Sequence, residues 1–458
     1  MKELLITSLL GLAVLGLDIL KLRKLIFPVI LLALLGLLAC VGMDWGHNEN
    51  PFTNNMLLFD NFALGFTAVL TLLTFFWFLL TRDYFATHKG QVDMYSLALF
   101  SLCGAVVLTA YTNLVMLFLG IEILSIPLYV LAASKKGDEK SNEAGFKYFF
   151  LGSLASAILL FGIALVYGST GTFDTNVLQA ALEDLGQMPH QMLIGAIMIF
   201  IGFAFKVSAA PFHFWAPDVY QGTPTPITAL MATVVKGAAF AALLRLFGGA
   251  LLPALDTMSG VIAFVAVLTL IVANTIAAVQ TNSKRLLAYS SISHAGFMLG
   301  AVLTANSTNP KVMIYYVLAY GIASLTSFSI LHHVSQSQND AEEMDIFKGL
   351  VKRNPVMAGA MTLSLLSMAG IPPLSGFLAK YFVITDVMAA GHTGLVIIMI
   401  LSSVIGVYYY LKVIVAMFTP LENAGRIVVS STQQFVLILL SVLMIGLFFA
   451  AGLVEILF

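Results

Sequence analysis

Two stretches decide the fold: Gly202–Pro226, GFAFKVSAAPFHFWAPDVYQGTPTP, and Gly370–Ile384, GIPPLSGFLAKYFVI. Each places a lysine, Lys206 or Lys380, inside an otherwise apolar run and interrupts that run with prolines. Pro211, Pro217, Pro224 and Pro226 follow Lys206, while Pro372 and Pro373, with Gly370 and Gly376, precede and flank Lys380. Proline removes a backbone donor and breaks a helix. In a bilayer the freed backbone groups survive only where they line a cavity or are buried in protein. Two interrupted spans, five apart, each with a central lysine, suggest an internal duplication with one half-channel per copy. A plain structural kink gives no reason for kink and lysine to coincide twice.

The surrounding sequence supplies the membrane. Of 458 residues, 60% are apolar and 10% charged, and mean hydropathy is +0.97. Soluble domains carry about 25% charged residues, so a soluble globule is excluded. The fold class is an all-α polytopic membrane protein. Apolar stretches run Leu4–Leu20, Leu25–Met43, Phe62–Leu80, Tyr95–Tyr111, Leu114–Ala133, Ala144–Tyr167 and Met192–Ala210. They continue Ile227–Phe247, Val261–Val279, Leu286–Thr304, Val312–Val334, Val356–Ala390, Leu395–Phe418 and Phe435–Leu457. At about 20 residues per crossing these predict fourteen transmembrane helices, with the seventh and twelfth broken. The N-terminal run is long and its basic cluster follows it, so it reads as a retained first span rather than a secretory signal.

Lysine and arginine set the orientation. Loops after odd-numbered spans hold Lys21, Arg23, Lys24, Arg82, Lys89, Lys135, Lys136, Lys140, Lys284, Arg285, Lys348, Lys352, Arg353 and Arg426, whereas the other side holds only Lys2, Arg245 and Lys311. The basic side is therefore predicted to be cytoplasmic and both termini to lie opposite. The outer loop Gly168–Gln191 holds a short amphipathic piece, VLQAALEDLG, and the inner loop Ser335–Asn354 is charged and expected to be solvated. No loop is large enough for a soluble domain. Cys40 and Cys103 sit in apolar runs without metal-ligand spacing, no phosphate-loop or dinucleotide motif occurs, and a net charge of −1 excludes a basic nucleic-acid surface.

Function must then reside in ionisable groups within the spans, each costing roughly 2.5–3.5 kcal/mol at the bilayer centre. These are Glu122 in GIEILSIPLYVL, Lys206, Lys236 in ITALMATVVKGAAF, and Lys380. One carboxylate cannot neutralise three lysines, so at least two must meet water or surrender their charge, the chemistry of a proton relay. His294, within a strip holding Ser290, Ser291 and Ser293, is a candidate relay member. Lys147 and Lys412 lie near the basic end of their spans; for Lys147 a snorkelling stem is an equally good reading, and Lys412 reads better as a snorkelling anchor. His213 and Asp218 flank the first break and could hydrate an inlet, while His332 and His333 end span eleven without evident role. The residues alone leave open a free-standing cation/proton antiporter, or a structural subunit whose lysines merely hold helices together.

The strings GIEILSIPLYVL, KVSAAPFHFWAPDVYQGTPTPITA, KRLLAYSSISHAGFMLG and AGIPPLSGFLAKYFVI resemble the antiporter-like membrane subunits of proton-pumping NADH:quinone oxidoreductase (complex I), a superfamily shared with Mrp-type cation/proton antiporters. The likeness covers spans four to thirteen. Within the family it is greatest to the N-type subunits: Lys380 stands where the M-type presents a glutamate, and the long lateral helix of the L-type is absent. The resemblance implies fourteen helices, with two inverted five-helix repeats over residues 93–250 and 251–420, three preceding helices over 1–92, and a last one over 421–458. It implies that Glu122 and Lys206 form a charge pair responsive to a neighbouring subunit. It makes Lys236 the central relay with His294 assisting, Lys380 the outward connection, and Lys147 a functional lysine of span six. NADH, FMN, iron–sulfur clusters and quinone would bind other subunits, with none bound by this chain. Partners would be sister antiporter-like subunits, small helical subunits and lipid, in a bacterial inner membrane.

Overall fold

A segment in hydrocarbon must satisfy each backbone N–H and C=O within itself, and the α-helix does so. In the structure, a computed structural model describing residues 2–47, 56–86, 90–184, 188–305, 310–421 and 425–452, all fourteen apolar stretches hold helix. The first five are unbroken: α1 (Lys2–Ile19), α2 (Arg23–Asp44), α3 (Asn61–Ala86), α4 (Gln91–Ala110) and α5 (Leu114–Ala132). Next come α6 (Glu139–Thr170), the short surface helix α7 (Thr175–Asp184), and the first broken pair, α8 (His190–Lys206) and α9 (Trp215–Gly222). α10 (Thr225–Leu230) passes through a π turn, Met231–Val235, into α11 (Lys236–Phe247). α12 (Leu252–Val279), α13 (Ser283–Leu303) and α14 (Pro310–Gln336) follow, then a single turn α15 (Leu350–Arg353). The second broken pair is α16 (Pro355–Ala369) and α17 (Ser375–Ala389), and α18 (Thr393–Phe418) and α19 (Ser431–Phe449) complete the chain. Among the described residues, eleven helical runs, α10 to α11 taken as one, are long and apolar enough to cross a membrane. Among the described residues, β pairing is confined to isolated bridges.

Burial sorts the helices into two shells. α10–α11 and α13 are enclosed along their whole length and α3, α4 and α14 nearly so, while α2, α6, α12, α18 and α19 expose broad Leu, Ile, Phe and Val faces. Hydrocarbon gives no hydrophobic drive between helices, so close backbone approach through small residues matters. Gly162 of α6 and Gly195 of α8 show it: a Cβ on Gly162 would lie 2.7 Å from the Gly195 carbonyl oxygen.

The ends segregate by charge. At the basic end Lys135, Lys140 and Lys284 share a cleft of about 720 Å³ with Asp138, Glu139, Asp340, Glu342 and Glu343. At the other end Lys2 pairs with Asp44 at 2.6 Å and Arg245 with Asp60 at 2.5 Å. The loop Ser335–Asn354 departs from its expectation of being solvated. Met344, Ile346, Phe347 and Leu350 are buried, as are Arg353 and Asn354. Arg353 donates to the Ile346 carbonyl at 3.0 Å and to Ser337 Oγ at 2.6 Å. The apolar members of an otherwise charged loop fold it back as a lid over the helix ends.

Candidate functional site

Each break is sealed by protein, as helix interruption at membrane depth requires. After α8 the chain carries Ser208 at φ 62°. The freed Phe205 carbonyl accepts from Trp215 Nε1 at 3.0 Å, and Ala210 N–H donates to Thr269 Oγ1 at 2.9 Å. After α16, Gly370 turns the chain at φ 85°. Gly376 N–H then donates to Ser367 Oγ at 3.1 Å. A Cβ on Gly376 would stand 1.9 Å from the Ser367 carbonyl oxygen, so only glycine permits this approach.

The three central lysines are buried, and among the described residues none pairs with a carboxylate. Lys206 Nζ donates to Ser125 Oγ at 2.5 Å and Tyr148 Oη at 3.3 Å, and lies 5.5 Å from the Tyr148 ring centre. Tyr148 stacks on Trp215, centroids 4.8 Å apart. Lys236, directly after the π turn, donates to the Ser291 carbonyl at 2.8 Å and to Ser291 Oγ at 2.5 Å. Lys380 donates to the Ala369 carbonyl at 3.0 Å and lies 5.0 Å from the Phe297 ring centre. A π turn opens the hydrogen-bond ladder at one point and is often found at functional positions. The one before Lys236 had no counterpart in the sequence reading.

Glu122 and Lys206 do not meet directly, contrary to the pairing expected. Glu122 accepts from Ser156 Oγ at 2.5 Å, while Lys206 takes Ser125, one turn further along α5. A void of about 10 Å³ is lined by Lys206, by Ser125 and by Ser156, the residue that donates to Glu122. Glu122 is only half-buried, on an outer face of the chain.

His294 is fully enclosed within a hydroxyl network. Its Nδ1 bonds Tyr316 Oη at 2.8 Å and its Nε2 lies 3.5 Å from Tyr410 Oη, which in turn bonds Ser290. Asn274 adds a second branch, donating to Ser293 Oγ at 2.8 Å and accepting from Tyr409 Oη at 3.2 Å. Asn274, a polar group in an apolar run, was readable from sequence. Tyr148, Tyr316 and Tyr410 were not, because tyrosine is also an ordinary packing residue.

Lys147 stands apart from this line. It is 37% exposed and bonds Glu143 at 2.6 Å and Asp218 at 3.0 Å, with Arg285 on the other Asp218 oxygen at 2.8 Å. A lysine about two turns into its helix still reaches the wet end, so it joins a surface ion network rather than the buried amines. Asp218 belongs to that network, while His213 is buried against Phe214. Lys412 is more than an anchor: it caps α12 by donating to the Gln280 carbonyl at 3.2 Å. His332, given no role from sequence, packs its ring edge-on to Tyr84. Sequence reading also placed Lys284 among loop cations, yet it is buried at the head of α13. It donates to the Gln221 and Thr223 carbonyls, both at 2.8 Å, and lies 3.3 Å from Glu342.

Known proteins share this arrangement. The family described as NADH:quinone oxidoreductase/Mrp antiporter, TM, matches residues 111–406. NADH-quinone oxidoreductase subunit N of Flavobacterium johnsoniae is 42% identical over 99% of this chain and 98% of its own length. A chain of respiratory complex I from Thermus thermophilus superposes with a TM-score of 0.84 at 31% identity, covering 99% of this chain and 98% of that one. A chain of the Mrp complex from a Dietzia species superposes at 0.88 with 22% identity, over 99% and 95% of the two chains, a likeness of fold alone.

Proposed function

The chain belongs to the NADH:quinone oxidoreductase/Mrp antiporter family, on its subunit N branch, and from that premise we propose how its residues move protons. It is a proton-translocating membrane-arm subunit of NADH:quinone oxidoreductase, a translocase. The observation that carries the mechanism is that Lys206, Lys236 and Lys380 are all buried, bonded to hydroxyls or carbonyls, and, among the described residues, without a carboxylate partner. A carboxylate partner would lock each ammonium; hydroxyls and carbonyls hold it yet let it release a proton when a neighbouring charge shifts.

In this reading Glu122, half-exposed on α5, senses the neighbouring subunit. The void of about 10 Å³ lined by Lys206 and by Ser156, which donates to Glu122, has room for about one water, which would link the amine to the carboxylate through that hydroxyl. Lys206 passes its influence to Lys236, where Ser291 and the His294–Tyr316–Tyr410 network provide proton carriers. Lys380 delivers to the side opposite the basic cleft. Lys147 contributes at the inlet through Asp218 rather than as a relay member. Ten of the fourteen spans form two inverted repeats, α4 to α11 and α12 to α18, each containing one broken pair. The basic end faces the cytoplasm of a bacterial cell, by the distribution of Lys and Arg, and both termini face outward. Redox cofactors lie in other subunits, and sister antiporter-like and small helical subunits flank the chain.

Replacing Lys206 with Ala in the intact complex should cut NADH-driven quinone reduction severalfold; unchanged reduction by an assembled variant refutes the paired-charge role. The fold shared with an Mrp chain favours one second reading, free-standing cation/proton exchange. Gentle detergent extraction separates the two, because only a complex I subunit co-purifies with hydrophilic redox subunits.

A further inference from the structure

The cleft at the basic end has a built floor. It is lined by Gln221, Gly222, Thr223, Pro224 and Thr225, where α9 gives way to α10, and by Asn282 and Lys284 at the head of α13. Lys284 spans that floor. Its ammonium donates to the Gln221 and Thr223 carbonyls at the C-terminal end of α9 and lies 3.3 Å from Glu342 on the folded-back loop. Asn282 Nδ2 and Gln221 Nε2 also donate to that same Glu342 carboxylate, at 3.1 and 3.3 Å, so the carboxylate is held in place. Beside this cluster Thr223 Oγ1 and Ser283 Oγ are buried without any hydrogen-bond partner, the mark of a place that water reaches.

What lies beneath gives the arrangement its purpose. Seven residues along α13 from Lys284, two turns and about 10 Å on the same helix face, is Ser291, whose oxygens hold the Lys236 ammonium. From the other side, α10 and the π turn lead from the cleft floor at Thr225 directly to Lys236. Lys284 thus lines the cleft two helical turns from the residue that holds the central amine.

We propose that Lys284 is the gate of the proton inlet, a positioning residue that closes the cleft floor when drawn to the α9 carbonyls and opens it when drawn to Glu342. The gate keeps its own proton; protons pass it through water from the cleft to Lys236. This rests on Lys236 being the central relay. The same cleft also holds Lys135, Asp138, Glu139, Lys140, Asp340 and Glu343, and Lys135 is itself held by Asp138 and Asp340 at 3.4 and 3.0 Å.

The test uses the assembled complex in inverted membrane vesicles, with NADH oxidation and proton uptake read together. Each variant is also combined with Thr228→Cys, one turn below the floor, probed by a membrane-impermeant maleimide. Glu342→Gln, which leaves Lys284 on the α9 carbonyls, should slow turnover at least threefold with the thiol still protected. Lys284→Ala, which removes the plug, should raise labelling at position 228 at least tenfold and more than halve the protons moved per NADH. Turnover unchanged in Glu342→Gln overturns the gate even if Lys284→Ala fails to assemble. So do parallel losses in both variants without any change in labelling. Lys236→Ala in the same vesicles separates the two claims: if it leaves pumping coupled, the relay reading fails, and if it abolishes pumping while the other variants behave as wild type, only the gate fails.

Discussion

Lys236→Met tests whether the central amine is a carrier or a fastener, because the two roles predict opposite signs. Methionine matches the length of the lysine stem and fills its site without a void. Removing a cation from the bilayer centre relieves about 2.5–3.5 kcal/mol. Against that, Ser291 loses the donor that now reaches its carbonyl at 2.8 Å and its hydroxyl at 2.5 Å. An orphaned buried acceptor costs about 1–3 kcal/mol, toward the lower end here because the carbonyl keeps its helical partner. The balance runs from about 2.5 kcal/mol stabilising to about 0.5 kcal/mol destabilising. The variant should therefore assemble at wild-type level and release from the heated complex at the same temperature or higher, while proton pumping in vesicles falls at least tenfold. Native gels after graded heating give the first quantity, and a pH-gradient dye during NADH oxidation gives the second. Coupled pumping by the assembled variant, or a clear drop in heat stability with pumping retained, refutes the carrier role.

Ser125→Ala removes the hydroxyl that holds Lys206 Nζ at 2.5 Å and should lower quinone-coupled turnover severalfold without loss of assembly, with Ser125→Thr restoring it. Gly376→Ala forces a Cβ to 1.9 Å from a backbone oxygen of Ser367. It should cost at least about 1–3 kcal/mol and much of the activity, whereas Gly359→Ala, with nothing within 4 Å, should be silent by immunoblot and turnover. Asp138 caps α6 through Lys140 and Ser141 N–H, so Asp138→Ala should destabilise by about 0.5–2 kcal/mol. Burial pushes the Asp138 carboxyl up, but the Ser141 N–H and the Lys135 ammonium outweigh it and hold it below the usual carboxylate range. A lowered native value gives stability that is full above the unfolded value of about 4 and is lost as pH falls through the lowered one. The heat-release difference between wild type and Asp138→Ala should thus be flat from about pH 6 to 8 and shrink only in acid.

Apolar runs of crossing length leave a chain in lipid one choice of backbone, which is why every stretch marked from composition holds helix. Lys206, Lys236 and Lys380 were legible for the same reason, since a cation has no cheap place in such a run. Their partners were not. Lys236 finds Ser291 and Lys284 finds Thr223 across more than fifty residues of chain, contacts that no local pattern encodes. Lys284 was misread as a loop cation because it opens its helix beside Arg285, and only the folded-back loop carrying Glu342 reveals that it is enclosed. The Ser335–Asn354 loop hid its buried face behind a charged composition. Lys147 and Glu122 were placed on the right helices, but one turn of displacement along a helix decides whether the Glu122 carboxylate meets the Lys206 amine or a serine.

The breaks and the lysines are joined by electrostatics as well as by sequence. Lys206 is the last residue of α8, and Lys380 reaches the terminal carbonyl of α16. A helix C-terminus carries about half a negative charge and unsatisfied carbonyls, enough to retain an ammonium but not to fix it as a carboxylate would. A helix that crosses without interruption places its C-terminus at the membrane surface, where a buried amine gains nothing from it. Breaking the helix brings that partial charge to mid-membrane depth. Lys236 tests this rule from the other direction: its helix does not end, and there the π turn and the Ser291 carbonyl provide a local acceptor instead. If the lysines served only to fasten helices, full ion pairs would fasten better. The choice of half-charges fits groups that must hold a proton and then give it up.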